Sequence, residues 1–412
     1  MKGKYDTDSF AESSYMNKMS VLARNLKWIG QKLKRRKEFE SGIWVLGEWY
    51  GKRCCDNCLY FANVLAGMDD APQLVWIAKP EADLSLLDSR VRRVEMDTPE
   101  AYEILAKADV VIVNQGIVDI TEDQDYIVSA PLFVNLWHGV PWKRIGIDVI
   151  PDHQVLKKLY ARYLTKVRDA DLYLVTSDCF ADIMKRASCV SDAGLIRAGY
   201  PRNELFYDQA ETEACRKEVL ARLPELSADE RNLKIITYLP TFRDKVDDVF
   251  SFTKFGDIDE LNRFLEDENA VIIQKPHFAA RQAYINNTDC SRIVNLDEIS
   301  TQRLMAASDM LVTDYSSCFF DFLMLDRPVV HYIYDYEYYA HRDRGLYYEI
   351  DDVACGDTPR TEMELLTALQ ENLLEPDKNA KLRAKRREQF LACENPENSM
   401  RIYEQITHYM KK

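Results

Sequence analysis

No apolar run in this 412-residue chain approaches the roughly 20 residues that a bilayer-spanning helix needs, so a span of that kind is not expected. Its ten cysteines form no regular framework and follow no secretory leader, which points to a reducing cytoplasm without disulfides. Excess positive charge is missing as well. With 54 basic and 68 acidic side chains the net charge is −14, which excludes nucleic-acid binding by bulk electrostatics; any polyanion must be met locally. No paired-carboxylate metal motif stands out, and Cys55-x-x-Cys58 lacks a second pair at ligand spacing, so no metal or other cofactor is expected.

What is present is a folded α/β protein. The length and the 47% hydrophobic content suffice for two cores. Three segments share a small residue and an aspartate ahead of a short apolar run with a polar end: Ala108-Asp109-VVIVN, Ala170-Asp171-LYLVTSD and Ser308-Asp309-MLVTDYS. Each reads as a helix end feeding a parallel strand whose C-terminal tip carries polar groups, the usual ligand edge of an open α/β sheet. The echo spans both halves of the chain and implies two Rossmann-like domains facing across a cleft. The organisation expected is an arm over 1–40, a first domain over 41–215, a second over 216–390 and a terminal helical segment over 391–412.

The arm places Met16, Met19, Leu22, Leu26, Ile29 and Leu33 on one helical face, with Lys18, Arg24, Lys27, Lys32, Lys34, Arg35, Arg36 and Lys37 elsewhere, and Trp28 suited to an interface. Two occupants fit residues 15–37: an anionic membrane surface, or the protein's own core with the basic face in water.

Chemistry-bearing residues collect at strand ends. Met310 to Thr313 runs into Asp314, Ser316 and Ser317 and then an apolar helix, an arrangement whose hydroxyls, free N–H groups and helix dipole suit a phosphate; an ordinary serine N-cap has the same local pattern. His138 ends another strand, beside Gly139 and Pro141 and ahead of Lys143 and Arg144, and reads either as a structural histidine or as a base near a phosphate. Arg243 follows a third strand and Lys275 with His277 a fourth. Such convergence of Lys, Arg, His and Ser on strand ends is hard to assign to packing. Asp335, Glu337 and Arg344 follow the next strand, as nucleotide or polyol contacts or as plain loop residues.

The ordered set WHGVPWKRIG, AGYPRNELF, LPTFRD, QKPHF and SDMLVTDYSSCFFDFLMLDRPVV, followed by YDYEYY and RGLYYEI, resembles the CDP-glycerol glycerophosphotransferase family over about Ile43 to Ile350. IWVLGEWYGKRCCDNC resembles that family's opening with cysteines in place of serines. The resemblance implies a GT-B fold, a terminal helix returning to the first domain, and transfer of a polyol phosphate from a CDP-polyol to an acceptor hydroxyl with release of CMP. It implies His138 and His277 as catalytic, with Lys275 standing where the family has another histidine. Arg243, Lys275, Thr313, Asp314, Ser316 and Ser317 fall to the donor phosphates, and Lys143 and Arg144 to the acceptor side. Partners would be CDP-glycerol or a related CDP-polyol and a lipid-linked saccharide or polyol-phosphate acceptor, met at the inner face of the cell membrane in teichoic-acid or capsular polymer synthesis. A GT-B sugar transferase and a non-catalytic scaffold are the alternatives.

Overall fold

The computed structural model describes residues 15–223, 232–241, 250–275, 290–342 and 345–412. Two parallel sheets organise it. The first contains β1 (Ile43–Leu46), β2 (Gln73–Ala78), β3 (Arg92–Glu95), β4 (Val110–Val113), β5 (Leu132–Asn135), β6 (Leu172–Val175) and β7 (Leu195–Arg197), in the order β3-β2-β1-β4-β5-β6-β7. The second contains β8 (Lys234–Leu239), β9 (Ala270–Gln274), β10 (Ile293–Asn295), β11 (Met310–Thr313) and β12 (Val329–His331), in the order β10-β9-β8-β11-β12. Central strands such as Val110–Val113 and Met310–Thr313 are buried at every residue, as helices on both faces require.

The recurring aspartates have a structural cause. Asp109 accepts the N–H groups of Ser41 and Gly42 at 2.9 and 2.7 Å, Asp171 that of Phe133 at 2.8 Å, and Asp309 that of Ile235 at 2.7 Å. Each carboxylate thus ties the entry of its own strand to the entry of a neighbour, at the edge opposite the ligand tips. Polar caps open several helices: Thr98 ahead of Pro99, Ser177 and Ser300 on crossover helices, and a Thr361/Glu364 capping box on a helix after the last strand.

The first helix, Tyr15–Leu33, lies on the first domain. Trp28 is 3% exposed, covered by Arg168 at 4.4 Å and Arg24 at 5.0 Å, so the interface expected for its ring is the protein's own. Arg35 clasps Asp171 and Arg36 donates to the carbonyl of Lys107. The last helix, Asn398–Met410, also sits on the first domain: Asn398 accepts from Gly199 N at 3.0 Å, and Tyr403 meets Trp44 with ring centroids 5.6 Å apart.

Candidate active site

Buried carboxylates build the first wall. Glu48, at the exit of β1, accepts the N–H groups of Cys55 and Asp56 and, at 3.1 Å, the side-chain amide of Asn114. Burial, with the Asp56 charge adding, pushes its carboxyl well above the ordinary range. Asp119 accepts from the N–H groups of Tyr50, Asn114 and Gln115 at 2.9, 2.9 and 2.7 Å, and burial raises it to about 7. The bond from Tyr50 anchors a turn in which Trp49 and Tyr50 lie in the left-handed region, φ 48° and 61°, costly for bulky residues and retained only where surroundings impose it. Cys58 lies inside the helix Asn57–Ala66 with its thiol 3.0 Å from Asn114 Oδ1, a packing position.

His138 follows β5 through Trp137, another left-handed aromatic at φ 58°. The Trp137 N–H donates to Asn135 Oδ1 at 2.8 Å, and Asn57 Nδ2 donates to the Trp137 carbonyl at 2.9 Å. The two rings stack, centroids 4.8 Å apart. His138 Nδ1 lies 3.2 Å from the Asn114 carbonyl oxygen. A carbonyl only accepts, so Nδ1 carries the proton and Nε2 keeps a lone pair. Burial lowers the pKa below the usual histidine value, leaving the ring neutral near pH 7.

The second wall is the turn after β11. Thr313 and Asp314 are fully buried: Thr313 donates to the Leu239 carbonyl at 2.7 Å, and Asp314 accepts from the N–H groups of Thr241 and Tyr315 at 2.8 and 2.6 Å. The structure therefore corrects their expected place. Both brace the turn from behind, tying the end of β11 to the end of β8. A Cβ on Gly139 would stand 2.5 Å from Ser317 Oγ, so the His138 turn and the serine turn meet across the domain boundary through the missing side chain.

A cleft of about 490 Å³ separates the walls. Of the residues expected from sequence, His138, Lys143, Arg144, Lys275, Ser316 and Ser317 line it. Lys275 is buried, its ammonium 2.6 Å from the Asp297 carbonyl. Asp335 and Glu337 do not line the cleft: Asp335 accepts from the Tyr315 hydroxyl at 3.0 Å and Glu337 is on the surface of the helix Tyr336–Arg342. Their chain turns away after β12. Arg243, His277 and Arg344 lie outside the described residues.

Sequence reading missed Arg53, Arg202 and Asp321, which also line the cleft. Asp321 left a signal, a lone charge inside the apolar helix Cys318–Phe322. In a chain of net charge −14, the described lining holds Arg53, Lys143, Arg144, Arg202 and Lys275 against Asp56 and Asp321. Two parallel α/β domains whose strand C-termini converge on such a basic cleft have the GT-B architecture.

The model of the CDP-glycerol:poly(glycerophosphate) glycerophosphotransferase family matches residues 31–408, and the chain belongs to that family. It is accordingly an enzyme of polyol-phosphate transfer from CDP-glycerol in teichoic-acid-type synthesis. A teichoic acid glycerol-phosphate transferase of Staphylococcus aureus is 26% identical over 368 residues, covering 87% of this chain and 91% of that protein. A teichoic acid poly(glycerol phosphate) polymerase of Bacillus spizizenii is 27% identical over 282 residues, 66% of this chain and 69% of that protein. The wall teichoic acid polymerase TagF, solved after a CDPG soak, superposes with a TM-score of 0.73 at 20% identity, over 99% of this chain and 98% of that chain, a likeness of fold.

Proposed function

We propose that the acceptor hydroxyl is activated by His138 and attacks the glycerol-bearing phosphorus of CDP-glycerol held against Ser316 and Ser317. The observation that carries this reading is the placement of a neutral, oriented histidine and two turn hydroxyls on opposite walls of one basic cleft. A new P–O bond forms to the acceptor oxygen as the bond to the CMP phosphate breaks. The hydroxyl proton passes to His138 Nε2, and CMP leaves with the negative charge. Phosphoryl transfer depends on in-line positioning and charge stabilisation. Lys275 and the turn N–H groups supply that charge from the second domain; Lys143 and Arg144 supply it from the first. Arg243 and His277 are assigned to the donor phosphates by their motifs alone. Turnover with a panel of CDP-alcohols and lipid-linked acceptors, read by CMP release and product length, tests the reading; a nucleotide other than CMP would sink it.

The same histidine sets the expected pH dependence. Only neutral His138 accepts a proton, and burial disfavours its cation, so kcat/KM should fall on acidification with a midpoint below about 6.5. A pH–rate profile checks this; an acid limb above the ordinary histidine value, or one that survives His138→Gln, contradicts it.

For the acceptor's membrane the support comes from a second helix beside the one the sequence suggested. Val155–Arg168 has no buried residue; Leu156 is 83% exposed and Leu159 56%, interleaved with Lys157, Lys158, Arg162 and Lys166. Leu26 and Leu33 of the adjoining first helix are exposed beside it. Apolar side chains among cations suit the boundary of an anionic leaflet, and among the described residues no helix is long and apolar enough to cross a membrane. Leu156→Asp with Leu159→Asp should release the protein from phosphatidylglycerol-containing vesicles in sedimentation; unchanged binding would refute peripheral attachment through this face.

A further inference from the structure

The AGYPRNELF segment has no role in the chemistry above, yet its Arg202 lines the cleft. Arg202, on the turn of helix Pro201–Tyr207 after β7, is buried. One terminal nitrogen, Nη1, donates to Asp56 at 2.6 Å and to the His138 carbonyl at 3.1 Å. The other, Nη2, donates to Asp321 at 2.6 Å. Asp56 caps the helix Asn57–Ala66 of the first domain and receives the Trp49 indole N–H at 2.8 Å; Asp321 belongs to the helix that leaves the serine turn of the second. Asp321 is held further by Gln302 at 3.1 Å and Asn203 at 3.3 Å. One guanidinium therefore bonds the backbone of the proposed base, the first domain and the second domain at once. A planar fork can span two carboxylates in this way and an ammonium cannot.

We propose that Arg202 is a positioning residue for the transfer: clamped between Asp56 and Asp321, it holds the His138 turn in register with Ser316 and Ser317 across the domain boundary. This rests on the assignment of His138 as base. Arg202 touches neither reacting atom. Its effect passes through the His138 backbone and through the helix Cys318–Phe322, so it acts on the rate of the chemical step rather than on donor affinity.

The test is a double-mutant cycle on the full chain, using CDP-glycerol and a lipid-linked saccharide primed with one glycerol phosphate, with CMP release as readout. Arg202→Lys keeps a positive charge but loses the fork. It should lower kcat by between about tenfold and about 10²-fold, the cost of small misplacements, while the KM for CDP-glycerol stays near wild type. In a His138→Ala background the same substitution should cost little, since the group it positions is gone. If Arg202→Lys does not fold, judged by circular dichroism and cooperative unfolding, Asp321→Asn replaces it with the same expectation. Equal losses in both backgrounds, wild-type kcat, or a loss confined to donor KM would overturn the proposal. Failure of His138→Ala itself to slow turnover would instead remove the base assignment on which it stands.

Discussion

His138→Ala is expected to lower kcat by about 10²- to 10⁴-fold with CDP-glycerol and a matched acceptor, the range for removal of a positioned general base. The fold should survive, because among the described residues the half-buried ring makes one hydrogen bond, to the Asn114 carbonyl, and is otherwise held by ring contacts with Trp137 and Trp49. Donor KM should change little: the serine turn and Lys275 stand on the other domain. Residual turnover is expected, since cations and hydroxyls in the cleft still position the phosphoryl group. Near wild-type kcat in purified enzyme would mean that another group takes the proton.

Gly139→Ala should be almost as damaging for a different reason. Gly139 has φ +153°, a backbone region that side chains rarely adopt, and a Cβ there would meet Ser317 Oγ at 2.5 Å. Strain of this kind costs about 1 to 3 kcal/mol, readable as a loss of unfolding free energy. Relief by moving the two turns apart would separate base from donor, so kcat should fall by about 10²-fold even in the folded fraction. Ser317→Gly in the Gly139→Ala background removes the clash but not the φ penalty. It should recover part of the stability; recovery of none would show that the turns are not held in contact.

Much of the fold was legible because its signals are local. Short apolar runs such as VVIV and MLVT, preceded by helices and followed by polar tips, specify parallel strands wherever they occur. His138, Ser316 and Ser317 were legible for the same reason, each standing just past such a run. The aspartate echo was visible too, but its meaning was not: Asp109 and Asp309 staple strands 67 and 74 residues away, and spacing alone does not reveal the partner. The basic arm was ambiguous in sequence because a docked helix and a membrane helix share one amphipathic pattern; Trp28 is buried against the first domain, while Leu26 and Leu33 of the expected apolar face stay exposed next to the leucines of Val155–Arg168.

The chain's own order of residues thus determined which strand tips bear polar side chains and, through several spaced motifs, the family. Tertiary structure decided which of those residues meet. It sent Asp314 behind the turn and Asp335 out of the cleft. It also brought together Asp56, Arg202 and Asp321, separated by 146 and 119 residues. The physical reason is the nature of the contacts: strand and helix propensities act over a few neighbours, whereas a buried ion cluster exists only once two domains have closed on it and excluded water.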